Sequence, residues 1–268
     1  MLKTIIKSAV NWSLNKTRPW IRYAFHRLED TYLDRKKASV INCIGDSHNN
    51  IFAYIQKCGN LPELYLRCTT VMGATVFGLA NPNSKTNALP IFQREIRAIS
   101  RRQAISLMLG EIDCGFLVFL RAKKKGGTLE SEMEESIRRY RIFLNEVKRR
   151  GVCMVFVWSV PPPTIMDNRL LGDVPNMRKE VTASIHERTR VTSLYNERLR
   201  KIVSELGFQF MDMDPHLKDP RTGLVKNELL NPDPRDHHLY PEYAAPLFVS
   251  ALHEHVPDMR RCSEDGLT

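Results

Sequence analysis

No stretch of this chain approaches the roughly 20 consecutive apolar residues that a membrane-spanning helix needs, and neither an internal repeat nor a low-complexity tract is found in it. The N-terminal segment MLKTIIKSAVNWSLNK carries a charge every few residues and has no uninterrupted apolar core, so a cleaved secretion signal is not expected. Cysteine is sparse. Cys43, Cys58, Cys68, Cys114, Cys153 and Cys262 are scattered without CxxC spacing, and several sit in apolar runs where a thiol packs as a small hydrophobe. A reduced, cytoplasmic setting is the expectation, with the protein touching a membrane surface at most peripherally.

Acidic residues are in deficit, with 40 Lys and Arg against 30 Asp and Glu, for a net charge of +10. Such an excess suggests a nucleic-acid partner only if it is spread over a binding face. It is not: residues 1–37 hold nine basic and three acidic side chains, a net of +6, and the remaining residues share +4. No nucleic-acid partner is therefore expected. Trp12, Trp20, Tyr23 and Phe25 are interleaved with the basic residues of this arm. The pattern suits either a helix that packs its aromatics on the domain or one that weakly contacts an anionic membrane surface. The hydrophobic fraction of 43% and charged fraction of 26% are those of a globular chain long enough to bury one sizeable core. The expected organisation is a basic helical arm over 1–37, a single catalytic-size domain over 38–257 and a tail over 258–268.

Within the domain, short apolar runs alternate with longer amphipathic ones, the pattern of a parallel sheet covered by helices. Five strands are predicted, at 39–44, 63–68, 104–109, 152–160 and 208–213. The clearest helices are 128–150 and 188–206. In the first, Met133, Ile137, Tyr140, Phe143, Leu144 and Val147 recur at steps of three and four. Gly151 and Gly207 are read as the stops of these two helices. The segments 161–187 and 214–236 break the alternation, and each follows the carboxyl end of a strand, where open α/β sheets keep their ligand sites. They are candidate walls of a site.

The chemistry concentrates at two places. VINCIGDSHNN ends a buried strand at Gly45 and sets Asp46, Ser47 and His48 in the turn to a helix beginning near Asn49. A serine there is either an N-cap or a nucleophile whose neighbouring backbone N–H groups stabilise an oxyanion. Asp46 is read as the brace of the turn, and His48 as a pocket-rim residue or the first of the helix. A nucleophilic serine needs a base, and NPDPRDHHLYPEYA supplies His237 and His238 with Asp233 and Asp236 just before a C-terminal helix. An adjacent histidine pair alone is weak support for a metal site.

As an ordered set, IGDSH, the glycine of VMGATVFGLAN, LGEID and DHHLYPEYA resemble the SGNH or GDSL hydrolase superfamily over residues 40 to 250. GDSH with GEIDC and HHL is similar to a bacterial branch associated with surface-polysaccharide genes. The resemblance implies a flavodoxin-like three-layer α/β/α sandwich on a five-stranded parallel sheet, with Ser47 as nucleophile, His238 as base, and Ser47 and Gly73 as oxyanion-hole donors. It further implies a serine esterase or acyl transferase acting on a small-molecule or glycan ester, with no cofactor and no metal. Asp46, His48, Glu111, Asp113 and His237 are the expected substrate-side residues; Glu111 and Asp113 read equally well as caps or loop anchors.

Two departures stand out. The family's third block has an asparagine that donates to the oxyanion where this chain has Ile112, a loss of roughly 2.7–4 kcal/mol in the transition state if nothing replaces it. The family's acid lies three residues before its histidine, but here Pro234 and Arg235 occupy those places. Asp236 is taken as the acid, with Asp233 as the alternative and the GEID acids, Glu111 and Asp113, behind them. A binding module that kept the fold without activity, and a metallophosphoesterase built on Asp46 and His48 with His237 and His238 as added ligands, are the competing readings.

Overall fold

The computed structural model describes residue 26 and residues 28–33, 39–167 and 180–259. Most of the expected arm and tail, and part of the 161–187 wall, lie outside these residues. Five strands form one parallel sheet: β1 (Ser39–Gly45), β2 (Leu64–Thr70), β3 (Ala104–Met108), β4 (Met154–Trp158) and β5 (Gln209–Met211), in the order β2-β1-β3-β4-β5. All five were predicted, with ends that differ by a few residues.

Burial on both faces explains why the strands read as continuous apolar runs. Alternate residues point to opposite sides. Ile44, Ile105, Leu107, Val155 and Val157 enter one core layer with Phe92 of α3 (Ala88–Ala98), Tyr140 and Leu144 of α5 (Leu129–Arg150) and Tyr195 of α6 (Ile185–Glu205). Ile41, Cys43, Met108, Phe156 and Trp158 enter the other with Phe52 of α1 (Asn50–Cys58) and Phe248 of α8 (Pro241–His253). The result is the three-layer α/β/α sandwich. Between these elements lie α2 (Val76–Leu79), α4 (Val118–Lys125) and α7 (Asp214–Leu217). Gly151 ends α5 in the left-handed conformation, while Leu206 caps α6 and Gly207 follows with φ 74°.

The chain passes from β2 across β1 to β3, so the crevice between the carboxyl ends of β1 and β3 is the topological switch point, the place where such sheets bind ligands. β1 delivers the GDSH turn to one side of that crevice and β3 delivers GEID to the other.

On the far edge, residues 28–33 are helical and dock on the start of the sheet. The Arg67 guanidinium holds Glu29 and Asp30, both at 2.7 Å, while Tyr65 donates to Glu29 and Gln103 donates to Asp30. This is the acidic part of the expected basic arm, and it is bound as structure. Arg67→Met should cost about 3 kcal/mol in denaturant unfolding, the low end for breaking a buried ion network, because both carboxylates keep about one-fifth of their exposure to water. A loss below about 0.5 kcal/mol would mean the segment is only laid on the surface.

Cys43, Cys58, Cys68 and Cys114 are free thiols. Cys153 is disulfide-bonded, against the expectation of an entirely reduced set, because sequence spacing carries no information about such a pairing. Among the described residues no helix is long and apolar enough to cross a membrane.

Candidate active site

The GDSH turn follows from three local constraints. Gly45 must lack a side chain, because a Cβ there would stand 2.2 Å from the Met108 carbonyl oxygen of β3. Asp46 then caps the single 3-10 turn Ser47–Asn49, its Oδ1 accepting from the His48 N–H at 2.9 Å. Asn49 reaches back under the turn and donates to the Cys43 carbonyl and to the Thr70 hydroxyl, tying β1 to β2. Ser47 is therefore not the cap: Asp46 fills that role, and the Ser47 hydroxyl is left for other work. Ser47 itself is 5% exposed and Asp46 1%, so a substrate must enter the crevice to meet them.

His238 arrives from the other end of the chain. Leu230 and Leu239 form an isolated antiparallel bridge, which closes the loop between them. Inside the loop, Asp236 Oδ1 lies 2.6 Å from His238 Nδ1 and also accepts the His238 backbone N–H at 2.9 Å. Asn231 donates to the other oxygen, Oδ2, at 2.9 Å, and the Thr164 hydroxyl donates to the His237 carbonyl. The carboxylate that meets His238 is thus two residues before it, a spacing Asp236 reaches by folding back on its own turn. Asp233 points elsewhere: Arg235 grips it at 2.8 Å, and that pairing holds its carboxyl down at about 2.

The two ends of the chain meet through their histidines. The His48 ring centroid is 4.8 Å from that of His238 and 5.9 Å from that of His237, and the latter two rings are 4.2 Å apart. His238 Nε2 is buried and makes no hydrogen bond, so the bond to Ser47 Oγ that a closed triad requires is not formed in this state. Bonds of that kind commonly tighten only when substrate binds. Burial holds the His238 imidazolium below its ordinary pKa, and the His48 charge adds to this; Asp236 and Glu111 pull the other way.

The GEID acids separate. Glu111 is buried on the His238 side, where its charge acts on that ring. Asp113 is fully buried and cannot serve as a substrate contact, because both oxygens are used: Oδ2 accepts the Val76 N–H at 2.8 Å and Oδ1 the Phe77 N–H at 3.0 Å. Burial raises its pKa to about 6 against the pull of those two bonds. Of the two roles open to it, Asp113 takes that of loop anchor. By holding the first turn of α2 it fixes the loop that carries Gly73, whose φ of 71° suits a residue without a side chain. Ile112 precedes a π-helical turn, Asp113–Leu117, and Gly110 has φ 122° with Val160 packed against it, so this block too is bent at the crevice.

Sequence reading missed Asn231 and Thr164. Asn231 lay in a segment marked as a wall, and nothing in its spacing marks it as the partner of Asp236. Thr164 is 73 residues from the carbonyl it binds, with no periodicity to relate them.

No family model matches the chain, and no curated protein matches it either. Solved structures do. A GDSL-like lipase from Bacteroides thetaiotaomicron superposes with a TM-score of 0.56 at 11% identity, over 88% of this chain and 97% of that one. A Geobacillus acetyl-xylooligosaccharide esterase gives 0.50 at 18% identity, over 82% and 96%. At these identities the likeness speaks for the fold, and the chain has the fold of the SGNH and GDSL hydrolases.

Proposed function

We propose that this chain is a serine-dependent ester hydrolase or acyl transferase. The observation that carries the reading is the Asp236–His238 pair at 2.6 Å, presented against the ring of His48, the chain neighbour of Ser47, at the switch point of the sheet. In this mechanism Ser47 Oγ attacks the ester carbonyl while His238 Nε2 takes its proton. Asp236 holds the Nδ1 proton and stabilises the imidazolium. The backbone N–H groups of Ser47 and Gly73 receive the charge on the carbonyl oxygen. His238 returns the proton to the leaving alkoxide, and water or an acceptor alcohol then releases the acyl group by the same route reversed. His48, His237, Glu111 and Asp46 line or brace the substrate side, and Asp113 acts through the loop it holds.

The substrate proposed is an O-acyl group on a glycan. The resemblance to the polysaccharide-associated branch supports it, and so does the acetylated-oligosaccharide activity named for one structural neighbour. Comparing acetylated oligosaccharides with simple alkyl acetates of similar leaving-group basicity tests this. A higher kcat/KM on the sugar esters is the expected result, and equal or better turnover of the simple alkyl esters would count against the glycan.

Catalysis in this scheme needs His238 neutral. Since its folded pKa lies below the ordinary 6.5, chiefly through burial, the acid limb of kcat/KM should have its midpoint below 6.5. His48→Gln removes one cause of the depression and should move the limb upward. A wild-type midpoint above 6.5 would remove His238 as the group reported.

A further inference from the structure

We propose that Asp236, His237 and His238 form a binding site for a divalent metal of the zinc class, and that filling it switches the hydrolase off. The inhibitory half rests on the function proposed above; the metal site stands on its own geometry. One carboxylate oxygen and two ring nitrogens, contributed by three consecutive residues, lie within 4.8 Å of one another. Tetrahedral zinc, at its usual bond lengths, holds donors about 3.4 Å apart, a spacing that side-chain rotation at these three residues has to supply.

The backbone is already fixed. The Leu230–Leu239 bridge closes the loop, Asn231 holds Asp236, and Thr164 holds the His237 carbonyl. The nearest cation in sequence, Arg235, is paired with Asp233 and does not compete for Asp236. His48 stands beside both imidazoles and offers a third ring at the edge of the site. Two imidazoles and one carboxylate form a mixed donor set that suits zinc, and water completes the fourth place.

The same atoms explain the effect on activity. In the mechanism proposed above His238 needs both nitrogens: Nδ1 faces Asp236, and Nε2 must take the serine proton. A metal on Nε2 takes the lone pair that accepts that proton. A metal on Nδ1 binds the other neutral tautomer, so the ring's one proton moves from Nδ1 to Nε2, where it occupies the lone pair that would accept the serine proton, and the metal pulls the carboxylate away from its task. Either mode removes the base, so the metal is an inhibitor here and not a cofactor.

The test uses the full chain, stripped with EDTA and desalted, then titrated with zinc chloride by calorimetry and in competition with a chromogenic chelator. Binding of one zinc per chain is expected, weakened at least about tenfold in His237→Ala, with Asp236→Asn as the second variant should the first fail to fold. Hydrolysis of an aryl acetate should fall with a midpoint equal to the binding midpoint and return on adding EDTA. In His237→Ala, read against that variant's own zinc-free rate, the midpoint should rise by the same factor as the binding. No zinc uptake, or unchanged uptake in both variants, overturns the site. Loss of activity on stripping with recovery on zinc overturns the inhibitory role. A zinc-free chain without any hydrolysis sinks the hydrolase reading and the inhibition with it, while the calorimetric titration still decides the metal site.

Discussion

Ser47→Ala should lower hydrolysis of a short-chain aryl ester by about 10³-fold or more, to the residue of activity that binding and an oxyanion hole supply alone. Its melting temperature should barely move. The distinction between chemistry and structure is unusually clean at this position, because Asp46 and not Ser47 caps the turn, and because Asn49 ties the turn to β1 and β2. Removing the hydroxyl therefore strips no cap, and the stability change should stay within about 1 kcal/mol, the ordinary size for a substitution that breaks no cap. A serine-directed phosphonate should label the wild type at Ser47 and leave the variant unlabelled. Retained hydrolysis in Ser47→Ala would sink the nucleophile, and a stable wild type with neither hydrolysis nor labelling would favour a binding module on this fold.

The strands were legible because burial on both faces leaves no alternation to confuse, and because glycines and turn residues punctuate them. The strand order was not, since nothing in β1 or β3 announces that they are neighbours across 60 residues. It took the register of Gly45 against Met108 to show why glycine stands before Asp46. The site was legible in part for a similar reason. Ser47 and His238 lie in motifs with recognisable order, and the carboxylate favoured from sequence, Asp236, is the one within 2.6 Å of His238. Long-range partners leave no such trace: Asp113 reads as one more acid at a strand end until its oxygens are seen on the Val76 and Phe77 amides. Calls on residues 1–25 and 260–268 concern a part of the chain outside the described residues.

Asp236→Asn should reduce kcat/KM by up to about 10⁴-fold, the scale seen when an amide replaces the acid of such a triad. An asparagine can keep the Asx turn, since its oxygen still accepts the His238 backbone N–H, so folding should survive. What it cannot do is balance an imidazolium: with its oxygen in the Oδ1 place the amide carries no charge toward Nδ1, and its nitrogen in the Oδ2 place meets the Asn231 donor. Asp236 is also partly open to water, with 42% of its side chain exposed, so its effect rests on the short contact at Nδ1 and on Asn231 holding Oδ2. Asn231→Ala should accordingly give a smaller loss in the same direction. Asp233→Asn is the control. Its carboxylate is already committed to Arg235, and the turn it makes with the Arg235 N–H can be made by an asparagine oxygen as well. Its kcat/KM should stay within about tenfold of wild type, the sort of change a mildly loosened loop gives. Equal wild-type activity in Asp236→Asn and Asp233→Asn would take both acids out of the mechanism. Glu111, whose charge already acts on His238 from within the crevice, would then be the carboxylate to replace.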